Sequence, residues 1–181
     1  PYAARLWWML RWAGHKNVAV LDGGYKAWQA AHQASTQAVP TFATSRFIPG
    51  PALTREVSAA DLQPAPGLLL DARDLARFEG RVEPIDAVAG HIPGAVCAPF
   101  TANLEATSCF KPAAELRARF AALGADETTP ASCYCGSGVT AAQNLLAMVH
   151  AGLPEPALYA GSWSEWITDP QRPVAKLLPT P

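Results

Sequence analysis

Apolar residues recur along the chain either in short continuous runs or at helical spacing, and the two kinds of segment alternate. The continuous runs predict buried strands of a parallel sheet at 67–71, 95–98 and 131–134. The amphipathic segment 112–123 predicts a helix that ends at Gly124. Thr54 or Ser58 can cap a short helix that runs through Asp61. This alternation predicts an α/β fold, a parallel sheet with helices on both faces.

An internal repeat relates the start of the chain to its end. Segment 3–28 aligns with segment 141–166 without a gap, and identical residues fall at Ala3, Ala4, Ala13, Gly14, Ala19, Gly23 and Trp28 of the first copy. The first copy predicts a helix over 2–13, a strand over 17–21 and a helix after Gly24. The second copy predicts the corresponding elements at 139–151, at 157–159 and after Ser162.

The repeat and a change in composition predict the domain organisation. Residues 34–52 are polar and contain Pro40, Pro49 and Pro51, which is typical of a linker. An irregular loop within one domain is the alternative, but loops of this length are uncommon in compact domains. We therefore expect 1–33 to be the C-terminal remnant of a first domain, 34–52 to be an interdomain linker and 53–181 to be a complete domain.

Charge and cysteine content narrow the classes of partner. The net charge is −1 and basic residues are scattered, which argues against binding to nucleic acid or to a membrane surface. No apolar stretch approaches the roughly 20 residues that span a bilayer. The four cysteines lack C-x-x-C spacing and predict free thiols in a reducing compartment, so we expect a cytoplasmic protein whose partners are small molecules or other proteins.

Cys135 is the residue best placed for chemistry. It follows the strand predicted over 131–134 and precedes a helix that begins near Gly138, so it lies at the carboxyl edge of the sheet, where open α/β sheets bind ligands. Gly136 and Gly138 leave room for successive backbone N–H groups to turn toward the sulfur. Such an anion-binding nest stabilises a thiolate or the terminal sulfur of a persulfide.

The loop Cys-Gly-Ser-Gly-Val-Thr-Ala at 135–141 resembles the active-site loop of 3-mercaptopyruvate sulfurtransferases in the tandem-domain rhodanese family. Other segments that agree with this family lie at 21–28, 70–73, 77–80, 90–95 and 161–166. The resemblance implies a rhodanese-like domain, preceded by the C-terminal remnant of a first rhodanese-like domain. It also implies a sulfurtransferase that needs no metal or other cofactor.

The resemblance further implies a two-step transfer of sulfur through a persulfide on Cys135. The donor is 3-mercaptopyruvate, and the acceptor is cyanide, a small thiol or a thioredoxin-like protein. Ser137 is then expected to polarise or protonate the reacting groups. The backbone of the rest of the loop is expected to bind the substrate at Gly136, Gly138, Val139 and Thr140.

Two arginines are candidate ligands for the substrate carboxylate. In relatives the arginine that corresponds to Arg77 has this role, which suits its planar fork of donors. Arg81 is a candidate assistant. Many relatives carry a second arginine farther along, just before the position of Gly90, whereas this chain has Ile-Asp-Ala-Val-Ala at 85–89.

Three other functions compete with this interpretation. Thiosulfate:cyanide sulfurtransferases usually carry basic side chains directly after the cysteine, whereas Gly136 and Ser137 are uncharged, which favours a monoanionic donor. Cysteine phosphatases place an arginine six residues after the cysteine, where this chain has Ala141. A rhodanese-like regulatory module, whose cysteine only senses oxidants, is the non-enzymatic alternative.

Four further polar or sulfur-bearing residues have structural interpretations. Asp71 and Arg73 end a strand and are expected to form a structural ion pair. His91 is expected to be a hydrogen-bonded turn residue, and Cys133 a small buried apolar side chain.

Overall fold

The computed structural model describes residues 1–177, and the last four residues of the domain predicted over 53–181 lie outside this range. The strands are β1 (Glu56–Val57), β2 (Leu68–Asp71), β3 (Val96–Cys97), β4 (Ala131–Tyr134) and β5 (Ala157–Tyr159). The α-helices are α1 (Tyr2–Trp12), α2 (Gly24–Ala30), α3 (Leu75–Phe78), α4 (Ala113–Ala122), α5 (Ala141–His150) and α6 (Ser162–Trp166). Two short 3₁₀ helices cover Ala60–Leu62 and Phe100–Asn103.

The five strands form one parallel sheet in the order β1-β5-β4-β2-β3. The long central pair, β2 and β4, runs in register from Leu68 opposite Ala131 to Asp71 opposite Tyr134. The N–H of Ala72 extends the ladder by donating to the carbonyl of Tyr134 at 2.8 Å. Both strands therefore end at the same edge of the sheet, and the segments that follow them start side by side.

Alternation along the strands divides the core into two layers. Leu70, Cys133 and Leu158 pack into one cluster with residues of α1, α4 and α5. Their neighbours along the strands, such as Tyr134 and Tyr159, pack on the opposite face with α6 and the first 3₁₀ helix. Helices thus cover both faces of a parallel sheet, which confirms the predicted fold class.

The first copy of the repeat departs from the prediction at its strand. Residues 17–21 form no strand, because no strand within residues 1–177 lies beside them to pair with, whereas β5 pairs with both β4 and β1. Helix α1 forms as predicted and buries Ala4, Trp7 and Trp8 in the cluster that holds α5.

The predicted linker has an open structure. Residues 34–52 form neither helix nor strand, and every one of them is exposed to solvent. The boundaries 1–33, 34–52 and 53–181, and the origin of 1–33 in a first domain, stay predictions.

The helix expected to begin near Thr54 or Ser58 is replaced by a short strand and a 3₁₀ helix. Residues 56–57 pair with β5 as the edge strand β1, so helical geometry starts only at Ala60. The N–H and hydroxyl of Ser58 both donate to Oδ2 of Asp61 at 2.7 Å, which fixes the first turn. None of the helices in residues 1–177 is long and apolar enough to cross a membrane.

Candidate active site

Cys135 follows β4 directly, and the start of α6 holds it in place. Its N–H donates to Oγ of Ser162 at 3.1 Å, and its carbonyl accepts from the N–H of Trp163 at 3.0 Å. The next carbonyl, that of Gly136, accepts from the N–H of Ser164 at 2.9 Å. The Ser162 hydroxyl also donates to the carbonyl of Tyr159 at 2.9 Å, so it ties the cysteine to the end of β5.

The loop between β4 and α5 leaves the backbone N–H groups that follow Cys135 without protein partners in the described part of the chain. Within residues 1–177 the backbone N–H groups of 136–140 find no protein acceptor. Gly138 adopts a φ of +74°, and a Cβ there would lie 2.4 Å from the carbonyl oxygen of Ala160. Only glycine fits this position without strain, and the loop around it keeps five successive backbone N–H groups without a partner in residues 1–177.

The loop opens on a cavity of about 230 Å³. Its lining includes Cys135, Gly136, Ser137, Val139 and Thr140 from the loop, and Pro1, Tyr2, Arg77, Ile85, Asp86 and Ser164 from other segments. Cys135 lines this cavity although it is only 2% exposed. Among residues 1–177, no group of three or more His, Cys, Asp or Glu side chains is arranged to hold a metal ion.

Arg77 is fixed at the wall of this cavity by two carboxylates. Its Nε and Nη2 donate to the two oxygens of Glu83 at 3.1 and 2.6 Å, and Nη2 also donates to Asp86 at 3.0 Å. Its Nη1 makes no hydrogen bond within residues 1–177, and Nη1 and Nη2 lie 3.6 and 3.7 Å from where a Cβ on Gly136 would lie. One edge of the guanidinium is thus committed to the protein and the other is available to a ligand.

A buried network of charges supports Arg77 from the sheet side. Arg73 pairs with Asp71 through Nε and Nη2, and its Nη1 reaches Glu83 at 3.3 Å. Glu83 therefore bridges Arg73 and Arg77. Burial raises the pKa of Glu83, but hydrogen bonds from Arg77 and from the N–H groups of Asp86 and Ile85 outweigh it, and the net pKa lies below the usual glutamate value.

Most of the residues predicted for the site meet at this cavity, and Arg81 does not. The side chain of Arg81 is 54% exposed and pairs with Glu79. The turn at Gly80, with a φ of +79°, lies between Arg77 and Arg81, and the structure does not bring Arg81 to the cavity, so its expected assistance to Arg77 stays a prediction that no contact supports. Gly138 shapes the loop from behind, against Ala160, and does not line the cavity.

The residues expected to be structural have structural partners. Nδ1 of His91 lies 2.6 Å from the carbonyl oxygen of Phe78, and the two rings stack at 3.9 Å. Cys133 is fully buried, and burial raises the pKa of its thiol, so it is a core residue that stays protonated. Asp71 and Arg73 form a buried ion pair.

Sequence reasoning missed several residues of the site. Asp86 and Ser164 both line the cavity and are joined by a 2.7 Å hydrogen bond, although 78 positions separate them in the chain. Glu83 and Ser162 act from just outside the cavity. The signal for Ser162 and Ser164 was present in the Gly-Ser-Trp-Ser-Glu-Trp segment, which follows β5 at the same edge of the sheet.

Comparison with known proteins places the chain among sulfur-transferring relatives. The "Probable 3-mercaptopyruvate sulfurtransferase" of Pseudomonas aeruginosa is 52% identical over 183 residues, and the alignment covers 96% of this chain and 63% of the relative. The "Putative thiosulfate sulfurtransferase SseB" of Mycobacterium tuberculosis is 41% identical, with the same two coverages. The chain thus spans less than two thirds of the length of either relative.

A solved structure and a family model agree with these relatives. The anaerobic ergothioneine biosynthesis enzyme of Chlorobium limicola, solved with trimethyl histidine, superposes with a TM-score of 0.86 at 26% identity. This match covers 97% of the present chain and 45% of that enzyme. The model of the rhodanese-like domain matches residues 54–169, which include the whole sheet and the cysteine loop. The chain therefore belongs to the rhodanese-like domain family.

Proposed function

We propose that the chain is the sulfur-transferring part of a sulfurtransferase and that Cys135 carries the sulfur as a persulfide. One observation supports this most directly. The sulfur-bearing residue opens on a small cavity that is lined by Gly136, Ser137, Val139 and Thr140, whose backbone N–H groups have no partner in residues 1–177, and by Arg77, whose Nη1 is also unpaired. These donors suit a reaction in which an anionic sulfur forms beside an anionic substrate.

In the first half-reaction the Cys135 thiolate attacks the thiol sulfur of 3-mercaptopyruvate. The new S–S bond forms as the C–S bond of the donor breaks, and its electron pair leaves on the pyruvate enolate. The enolate takes up one proton and becomes pyruvate. The transferred sulfur is oxidised and the carbon that carried it is reduced, so no external oxidant is needed.

Ser137 is suited to deliver that proton. It lines the cavity two residues after Cys135 and is exposed, and its hydroxyl makes no hydrogen bond to another group of residues 1–177. A hydroxyl that the protein does not hold is free to turn toward the substrate. The proton given up is regained from solvent through the open side of the cavity.

In the second half-reaction an acceptor takes the outer sulfur. Cyanide attacks it, the S–S bond breaks, thiocyanate leaves and the Cys135 thiolate returns to the nest. A small thiol gives a persulfide of its own in the same way, and a dithiol protein of the thioredoxin type releases hydrogen sulfide as its disulfide forms. Ser137 is exposed, and the acceptor would approach the loop from that side.

The choice of 3-mercaptopyruvate as the sulfur donor rests on the charges beside the loop. Nη1 of Arg77 is one free donor edge, which matches one carboxylate, and the side chains at Gly136 and Ser137 add no further positive charge. The relative from Pseudomonas aeruginosa is named for 3-mercaptopyruvate and the one from Mycobacterium tuberculosis for thiosulfate. Thiosulfate is accordingly the competing donor.

Steady-state kinetics with each donor and cyanide test this function. The parent chain should turn over 3-mercaptopyruvate with a higher kcat/KM than thiosulfate, and Cys135→Ser should be inactive with both. The matched control is Cys109→Ser, which removes a thiol outside the cavity and should leave both rates unchanged. Turnover by Cys135→Ser equal to that of the parent would rule out the nucleophile, and a preference for thiosulfate would reverse the donor.

A further inference from the structure

We propose that Asp86 determines donor specificity by reserving the cavity for donors with a single negative charge. The proposal deepens the sulfur transfer described above and rests on it. Asp86 lies in the stretch 85–89, just before Gly90, where the chain carries no arginine. It is the one carboxylate among the described residues that line the cavity.

Both oxygens of Asp86 are held at the cavity wall. Oδ2 accepts from Nη2 of Arg77 at 3.0 Å, and Oδ1 accepts from the Ser164 hydroxyl at 2.7 Å. The side chain is only 9% exposed, so water screens its charge weakly. The backbone N–H of Ser164 is bonded to the carbonyl of Gly136, which fixes Asp86 relative to the cysteine loop.

In the ion-pair network that holds Arg77, carboxylates outnumber guanidinium groups by one. Arg73 and Arg77 contribute two positive charges, whereas Asp71, Glu83 and Asp86 contribute three negative charges. The other side chains that line the cavity are apolar, hydroxyl-bearing or the thiol of Cys135. Pro1 also lines the cavity, and it is the same in every variant compared below.

This balance affects a dianion more than a monoanion. A monoanionic carboxylate can accept a hydrogen bond from Nη1, and its single charge is repelled by Asp86. Thiosulfate brings two negative charges into the same small volume, so its repulsion by Asp86 is about twice as large. At these separations Coulomb energies in a protein are large. Asp86 therefore lowers the affinity for dianions without contributing to the reaction itself.

The test compares the ratio of kcat/KM for thiosulfate to kcat/KM for 3-mercaptopyruvate in the parent and in Asp86→Asn. The substitution removes the charge and keeps the size of the side chain. We expect the ratio to rise about 10- to 100-fold, mainly through a lower KM for thiosulfate. The control Glu127→Gln removes one charge from an exposed ion pair with Arg117, and its ratio should match that of the parent.

The outcomes separate this proposal from the function on which it rests. Turnover by the parent with an unchanged ratio in folded Asp86→Asn would remove the role of Asp86 and leave the sulfur transfer intact. If the parent turns over neither donor, both the role of Asp86 and the proposed sulfur transfer are overturned. If Asp86→Asn does not fold, Asp86→Ser takes its place, because it removes the same charge and leaves a smaller side chain. A ratio equal to that of the parent in folded Asp86→Ser would contradict the proposal.

Discussion

Arg77 and Glu83 form a two-point ion pair in which Nε and Nη2 of the guanidinium donate to separate carboxylate oxygens at 3.1 and 2.6 Å. This pairing fixes the plane of the guanidinium, and it leaves Nη1 unpaired beside the loop that carries Cys135. The ion pair with Glu83 thereby sets the position of the donor that we propose binds the substrate carboxylate.

Replacement of Arg77 by lysine should weaken donor binding. A lysine ammonium cannot bond both oxygens of Glu83 and also present a donor to the substrate. We expect kcat/KM for 3-mercaptopyruvate to fall about 10- to 100-fold, which corresponds to the loss of one charge-assisted hydrogen bond. Arg81→Lys, in the exposed pair with Glu79, is the matched control and should retain parental kinetics. Equal losses in the two variants would show that Arg77 has no special role.

The pH dependence of stability should report on Glu83. Its folded-state pKa lies below the usual value of about 4.3, so its ion pairs contribute their full stability above that pH. This contribution is lost as the pH falls through the folded pKa. Glu83→Gln should be less stable than the parent at pH 7 by on the order of 1–3 kcal/mol, and the gap in unfolding free energy should close below about pH 4. A gap that is constant from pH 7 to pH 3 would argue against this assignment.

The two loop glycines should respond differently to alanine. Gly138→Ala forces a left-handed φ and a contact of 2.4 Å with the Ala160 carbonyl, so it should destabilise the fold by about 1–2 kcal/mol or more. Gly136→Ala places its Cβ at an ordinary 3.6 Å from Arg77 and should change stability by less than about 0.5 kcal/mol. Urea unfolding of both variants provides the comparison, and equal stabilities would show that the loop geometry does not need a glycine at 138.

The two serines near the cysteine should differ in their roles, Ser162 in stability and Ser137 in catalysis. Ser162→Ala removes a buried hydroxyl that bonds both the Cys135 N–H and the Tyr159 carbonyl, so it should lower stability by about 1–3 kcal/mol. Ser137→Ala should leave stability unchanged and lower kcat, since it removes only the proposed proton donor. Thermal unfolding and kcat measured on both variants test this, and a stable but inactive Ser162→Ala would reverse the two roles.

The sequence was sufficient to predict the features that depend on local pattern. Continuous apolar runs located β2 and β4, and a cysteine between a strand and a Gly-x-Gly turn located the loop at the sheet edge. The edge strand β1 was missed because two residues, Glu56 and Val57, are too few to show alternation. Residues 17–21 have strand-like composition, but composition does not show whether a partner strand lies beside them.

The parts of the site that could not be predicted depend on contacts between distant segments. Asp86 meets Ser164 only because the connection after α3 folds over the start of α6. Arg81 has the same side-chain chemistry as Arg77, and only the backbone turn at Gly80 separates their surroundings. Spacing along the chain does not contain this information, since it arises when the sheet brings the two segments together.

The central claim, a persulfide on Cys135, is tested most directly by intact-mass measurement after incubation with 3-mercaptopyruvate alone. The parent chain and Cys109→Ser should each gain the mass of one sulfur atom, and cyanide should remove it as thiocyanate. Cys135→Ser should gain nothing. A sulfur adduct on Cys135→Ser, or an unmodified parent that nonetheless releases pyruvate, would contradict the account.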